Sequence, residues 1–170
     1  MNILPEKICA LALGSNLGDS GAVFKQVCRL LQENGFNVQS VAPVIITEPV
    51  DCPPETPDFA NSALIGSFTG SAEELLNLTQ SIEQKLGRPA DHGFHTPRTC
   101  DIDIITFGDL IMKSDRLTIP HPSAQERLFV LEPLNEIAPE LRFPDTGLTV
   151  AELLAKHKKA AAKPGFATAL

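Results

Sequence analysis

The stretch RTCDIDIITF, residues 98–107, sets two acids, Asp101 and Asp103, into a run that otherwise favours a β-strand. Side chains in a strand alternate, so Asp101, Asp103, Ile105 and Phe107 are expected on one face and Ile102 and Ile104 on the other. Two carboxylates two positions apart repel each other, and Asp is disfavoured in strands, so the pair costs stability unless cations compensate. From the spacing alone two compensations stay open. Arg98 or nearby lysines could pair with both acids at an exposed strand end. Alternatively, the carboxylates could hold magnesium, which takes one or two protein carboxylates and completes its octahedron with water and phosphate oxygens. Two such ions would polarise the oxygens of a displacement at phosphorus.

The surroundings favour phosphate. Four of the six arginines, Arg88, Arg98, Arg116 and Arg127, fall between residues 88 and 127, and His121 in IPHP adds a further donor. Arginine suits planar, multi-donor contact with phosphate, although each of these singly reads as a surface residue before a ligand. Their grouping around a carboxylate pair points to a magnesium–oligophosphate site. The common nucleotide signatures are missing: GSNLGD, residues 14–19, is neither a P-loop nor a dinucleotide fingerprint. HGFH, residues 92–95, lacks a third thiol or imidazole at regular spacing and reads as polar loop. Asn77 begins an NLT triplet inside an expected helix, and no glycan is expected there.

Composition narrows the classes. The chain has 170 residues, 43% of them hydrophobic, which suits one catalytic domain over residues 1–170, and a formal net charge of −7. An acidic body argues against nucleic-acid and membrane-surface partners, so an anionic ligand must be met by placed cations. Cys9, Cys28, Cys52 and Cys100 show no zinc spacing and read as free thiols in a reducing compartment. No apolar run is long enough for a signal-peptide core or a membrane span, so a cytoplasmic protein is expected.

The elements that must position these residues follow from periodicity. KICALAL, residues 7–13, predicts a buried strand, and Val23, Val27, Leu30 and Leu31 predict a helix stopped by Gly35. NVQSVAPVIIT predicts a strand broken near Pro43, followed by a proline-rich loop over 48–58. FANSALIGSF predicts another strand. Ser71 and Glu74 form a capping box for a helix carrying Leu75, Leu78, Ile82 and Leu86, closed by Gly87. After a second loop, 88–99, comes the aspartate strand, then a hairpin over 109–122. Ser123 with Glu126 and Thr149 with Glu152 predict caps of two short helices. Residues 157–170, rich in Ala and Lys, predict a frayed tail. The order β-α-β-β-α-β implies an α+β fold, an antiparallel sheet with its two helices on one face, plus a C-terminal extension.

Taken together, ALGSNLGD, PDFANSAL, ELLNLTQSIEQKLGR, PRTCDIDIITFGD, RLTIPHP and RLFVLEPLNEIAPEL occur in the order found in 6-hydroxymethyl-7,8-dihydropterin pyrophosphokinases of folate biosynthesis. The chain resembles that family from about residue 8 to residue 155, and PRTCDIDI is the most specific segment. The resemblance implies a ferredoxin-like fold and transfer of pyrophosphate from ATP to the hydroxymethyl oxygen of a reduced pterin, releasing AMP. It implies small-molecule substrates and a monomer.

By position, the resemblance implies that Asp101 and Asp103 hold two Mg2+ ions, with Asp101 also near the pterin hydroxyl. Arg88 and Arg98 would stabilise charge on the phosphates. Gln80, Glu83, Arg98, Arg116, Thr118, His121 and Arg127 would contact ATP. Phe59 and Phe129 would sandwich the pterin, Asn61 would bond its edge and Thr47 would lend backbone groups. The loops over 48–58 and 88–99 would act as lids. The chain departs from the family at Ala90, His95, Thr96 and Pro122. Loss of an arginine at 90 removes one phosphate contact, which keeps open a pterin- or nucleotide-binding protein with weakened turnover. A metal-dependent nuclease using the same aspartates is disfavoured by the acidic charge.

Overall fold

The computed structural model describes residues 4–16, 19–47, 58–87 and 100–161. Arg88, Arg98, Ala90, His95, Thr96, Cys52, the HGFH segment, nearly all of both expected lids and the end of the tail lie outside the described residues. The elements run β1 (Lys7–Ser15), α1 (Ser20–Glu33), β2 (Asn37–Val41), β3 (Ile45–Thr47), β4 (Phe59–Phe68), α2 (Ala72–Lys85) and β5 (Asp101–Phe107). There follow β6 (Met112–Lys113), β7 (Thr118–Ile119), a 3-10 turn at Ala124–Glu126, α3 (Leu128–Ile137) and α4 (Val150–Ala161).

β2 and β3 are two halves of one broken strand, both antiparallel to β4. The break falls at Pro43 as its missing N–H requires. It is pinned by Ala42 N–H on the Ala63 carbonyl and Ser62 Oγ–H on the Ala42 carbonyl, both at 2.8 Å. The sheet order β2-β4-β1-β5 is antiparallel throughout and matches the β-α-β-β-α-β expectation. β1 and β4 are central and covered on both sides, which explains their nearly continuous apolar and small residues.

Local chemistry sets the helix ends. Asp19 Oδ1 accepts from Ala22 N–H at 3.2 Å to start α1. At its end Phe36 N–H returns to the Leu31 carbonyl and Gly35 N–H to that of Gln32, with Gly35 at φ 91°. Of the expected stripe, Val27 and Leu31 are buried together with Phe24, whereas Val23 and Leu30 are only partly covered. Both halves of the Ser71–Glu74 capping box form, and Leu75 and Ile82 are buried below it. Glu152 N–H donates to Thr149 Oγ1 at 3.1 Å, starting α4, which continues to Ala161 with His157 Nε2 2.9 Å from the Gln125 carbonyl. The third expected cap does not form. Ser123 sits at φ −113°, ψ 0° rather than extended, and its side chain makes no cap bond. Its N–H donates instead to His121 Nδ1 at 3.3 Å, and the helix proper begins at Leu128.

Two apolar clusters lie on opposite sides of the sheet. α1 and α2 share one face, where Phe24, Val27, Leu31, Leu75 and Ile82 pack on Leu11, Leu13, Leu64, Ile102 and Ile104. The C-terminal extension takes the other: Val130, Leu131, Leu134, Val150, Leu153 and Leu154 gather over Ala10, Ala63, Ile65 and Ile105. Alternation along β5 is interrupted. Leu11 faces Ile104 while Ala10 faces Thr106, so Ile105 is an extra residue in a β-bulge. Phe107 therefore joins the α1/α2 side, not the side of Asp101 on which simple alternation places it. Among the described residues no helix is long and apolar enough to cross a membrane.

Candidate active site

Asp101 and Asp103 open β5 and are half-buried. Their cross-strand partners on β1 are Gly14 and Ala12, and those residues in turn face Asn61 and Ala63 on β4. One face of the sheet thus carries Asn61, Gly14 and Asp101 in one row and Ala63, Ala12 and Asp103 in the next. The two central positions have little or no side chain, which leaves a floor beside the carboxylates. The apolar cluster under α3 and α4 reaches this face only as far as Ala63 and Ala12. Beyond it the face turns polar.

Asn61 is buried, and its Nδ2 donates to Thr47 Oγ1 at 2.7 Å. Its Oδ1 lies 3.7 Å from the place a Cβ on Gly14 would occupy, so the amide oxygen leans over the floor toward Asp101. Thr47 pairs with Phe59, which shares a face with Asn61 by alternation. Thr47, Phe59, Asn61, Asp101 and Asp103 are therefore brought together at one end of one sheet face.

His121 reaches the same end from the chain segment after β7. Its backbone N–H donates to the Ile105 carbonyl on the outer edge of β5 at 3.0 Å. Burial and the nearby Arg127 guanidinium push its imidazole below the ordinary histidine value, against an opposing pull from Asp101. His121 thus feels both charges, that of Arg127 lowering its pKa and that of Asp101 raising it. Because Nδ1 accepts from Ser123 N–H, the neutral ring carries its proton on Nε2. Arg127 also lies over the ring of Phe129, 5.6 Å from its centroid, and Phe129 is 39% exposed.

Four further expected site residues lie on α2 and in the β6–β7 hairpin. Gln80 is exposed on α2, while Glu83 is buried and its Oε2 accepts the Ile102 N–H at 2.8 Å. Arg116, after β6, donates to Glu73 Oε2 at 2.6 Å and to Asn77 Oδ1 at 2.8 Å, which ties the β6–β7 hairpin to α2. Thr118 faces Lys113 in that hairpin. Sequence reasoning did not find Gly14, Ala12 and Ala63 as the floor, since small strand residues carry no chemical signature of their own. Cys9 and Cys100 are buried free thiols and Cys28 is half-buried; burial pushes Cys9 up to about 12 and raises Cys28. Neither Cys9 nor Cys28 is activated as a nucleophile.

Among the described residues no cluster of three or more His, Cys, Asp or Glu could hold a metal ion. Two adjacent carboxylates at an open, polar end are a donor set that suits magnesium only if phosphate and water complete the shell. That fits a nucleotide–metal complex and does not fit a closed protein cage.

Comparison with known proteins bears on the family and the fold. The sequence model of the 7,8-dihydro-6-hydroxymethylpterin-pyrophosphokinase (HPPK) family matches residues 10–139. The chain is 38% identical to the 2-amino-4-hydroxy-6-hydroxymethyldihydropteridine pyrophosphokinase of Bacillus subtilis over 135 residues, covering 79% of this chain and 80% of the relative. It is 36% identical over 146 residues to the protein of the same name from Pseudomonas aeruginosa, covering 85% and 88%. It is also 38% identical to a folate synthesis bifunctional protein of Arabidopsis thaliana, of which it spans 26%. In structure it superposes on a Plasmodium falciparum HPPK-DHPS triple mutant with a TM-score of 0.76 at 15% identity, covering 96% of this chain and 46% of that one. The antiparallel sheet, the motif order and these matches agree: the chain belongs to the HPPK family.

Proposed function

We propose that this chain transfers the pyrophosphoryl group of ATP to the hydroxymethyl oxygen of 6-hydroxymethyl-7,8-dihydropterin, giving the pterin diphosphate and AMP in folate biosynthesis. The observation that carries this reading is the pairing of Asp101 and Asp103 on the polar, small-residue end of the sheet, in a chain of this family. Two Mg2+ ions held by these carboxylates would neutralise phosphate charge and polarise the oxygens around the β-phosphorus.

The protein's own groups do the rest. Phe59 and Phe129 offer aromatic faces for a flat heterocycle. Asn61 Oδ1, leaning over Gly14, can accept from the amino edge of a pterin, while its Nδ2 is held by Thr47. A pterin bound there directs its hydroxymethyl group toward Asp101. The hydroxyl oxygen then attacks the β-phosphorus in line with the departing AMP oxygen, and its proton leaves to solvent or to a carboxylate oxygen beside it. His121 Nε2–H and the Arg127 guanidinium donate to phosphate oxygens from the opposite side. Arg88 and Arg98 add positive charge to the same phosphates, and Gln80, Arg116 and Thr118 bind the nucleotide. For Arg116 that means exchanging Glu73 and Asn77 for ATP, an exchange of exposed partners that costs little.

The test is direct. Purified chain with ATP, magnesium and hydroxymethyl-dihydropterin should release AMP and pterin diphosphate in equal amounts. ADP as product, or AMP release indifferent to the pterin, would overturn the reading.

A further inference from the structure

Ile102 is the residue between the two aspartates, and its backbone N–H is held by a buried acid from the other side of the sheet. Among the described residues β5 is the last strand in the sheet order, and no described strand pairs with an N–H on its outer side. Glu83 on α2, 8% exposed, supplies the acceptor, with Oε2 2.8 Å from that nitrogen. A neutral amide or hydroxyl would satisfy an orphan edge donor equally well. A carboxylate makes the stronger tie, because a hydrogen bond to an ionised acceptor is shorter and firmer than one to a neutral group.

The position of the bond suggests what that firmer tie serves. The peptide unit joining Asp101 to Ile102 is planar and rigid, and the next one leads straight into Asp103. Fixing the Ile102 nitrogen to a helix therefore limits how far the two flanking Cα–Cβ bonds can swing relative to each other. α2 is itself anchored by the capping box and by Leu75 and Ile82 in the core, so the anchor point is stiff. Side chains of α2 face the Ile102 and Ile104 side, whereas Asp101 and Asp103 face the other side. Glu83 thus reaches the carboxylates through the backbone between them.

We propose that Glu83 is a positioning residue: by clamping the Ile102 amide to α2 it holds the Asp101 and Asp103 carboxylates at the separation that binds a divalent cation with its phosphates. This assigns Glu83 a task other than the nucleotide contact implied by family resemblance, and it rests on the pyrophosphoryl-transfer reading of the same site. Partners of this indirect kind typically change metal affinity by about 10- to 100-fold when removed.

The experiment measures Mn2+ affinity by electron paramagnetic resonance in the presence of α,β-methylene ATP, with melting temperature and AMP release alongside. Reach and charge are separated by substitution. Glu83→Gln keeps the length and an acceptor oxygen, and should bind Mn2+ within about threefold of the unaltered chain. Glu83→Asp keeps the charge but is one methylene short, and should weaken Mn2+ by about tenfold or more, as should Glu83→Ala, with KM for the pterin unchanged. Wild-type Mn2+ affinity in Glu83→Asp, with only the melting temperature lowered, overturns the proposal. So does a Glu83→Gln variant as weak as Glu83→Ala while Glu83→Asp is normal. Should Glu83→Ala fail to fold, the Gln and Asp variants still decide. Absence of pterin-dependent AMP release in the unaltered chain would overturn the assigned reaction, whereas the Mn2+ comparison would still decide the role of Glu83.

Discussion

Gly14 on β1 faces Asp101 on β5 directly, and a Cβ on the glycine would stand 3.9 Å from the Cβ of the aspartate. That is ordinary van der Waals contact, and the glycine does not have the positive φ that would demand it. The backbone gives no reason for glycine here; the space beside the carboxylate does. Gly14→Ala is therefore expected to be neutral or to stabilise by about 0.5–1 kcal/mol, since glycine in a strand interior is entropically costly. Its methyl group would occupy the floor between Asn61 and Asp101 and raise KM for the pterin by about tenfold, the scale of roughly 1.4 kcal/mol of lost binding. Thermal melts beside steady-state kinetics check both halves. A less stable variant with unchanged KM would mean that the glycine serves the fold.

The aspartates are tested through the metal and the phosphates they would hold. Replacing Asp101 or Asp103 by Ala deletes one of the two carboxylate ligands offered to magnesium, and a melt of the metal-free variant checks that it is folded. AMP release should fall by at least about a hundredfold, as when a charge-stabilising group at a reacting centre is lost. Magnesium with ATP should raise the melting temperature of the unaltered chain and raise that of either variant much less. Near-normal turnover in either variant would remove the carboxylate pair from the site.

What could be read in the sequence was what is decided locally. Ser71 and Glu74 make their bonds within one helical turn, Pro43 breaks its strand because of its own missing N–H, and Asp101 and Asp103 share a face because strands alternate. What escaped was decided by distant partners. Phe107 changes sides because Ala10 of β1 faces past an extra residue, a pairing invisible in the β5 segment itself. Ser123 and Glu126 have the spacing of a capping box, but the His121 ring takes the Ser123 N–H and the helix starts later. Gly14 matters through strands far from it in the chain. The second layer of α3 and α4, which stops at Ala63 and Ala12 and so leaves the polar end to the site, likewise depends on packing that periodicity does not encode.

Gly66 supplies a stability test remote from the chemistry. It sits in β4 opposite Cys9 and Val38, and a Cβ there would collide with the Phe36 ring and the Asn37 carbonyl oxygen. Phe36 is fully buried and stacks on Phe68 with centroids 6.2 Å apart, so it has little room to yield. Gly66→Ala should cost about 1–3 kcal/mol, the usual range for forcing a methyl into a packed interior. Urea denaturation should show a lower midpoint with an unchanged slope, and the folded fraction should keep its normal KM values. An unshifted midpoint would mean that β2 and β4 are not packed as described.

His121 provides a pH test of the arrangement around Asp101. Burial first and the Arg127 guanidinium second push its pKa below 6.5, while Asp101 pulls upward without winning. A histidine whose folded pKa is depressed binds fewer protons than the unfolded chain near that pH. Its contribution to stability is therefore fully present above about 6.5 and is lost as pH falls through the folded value. In metal-free protein the His121 ring protons, followed by NMR, should titrate below 6.5. Asp101→Asn should lower that midpoint further by deleting a favourable charge, and Arg127→Ala should raise it. The signs matter more than the sizes, because opposite responses to the two variants are what a ring acted on by both an anion and a cation must give. A midpoint that rises in Asp101→Asn, or ignores Arg127→Ala, would place the imidazole away from the carboxylates and remove it from the phosphate side of the site.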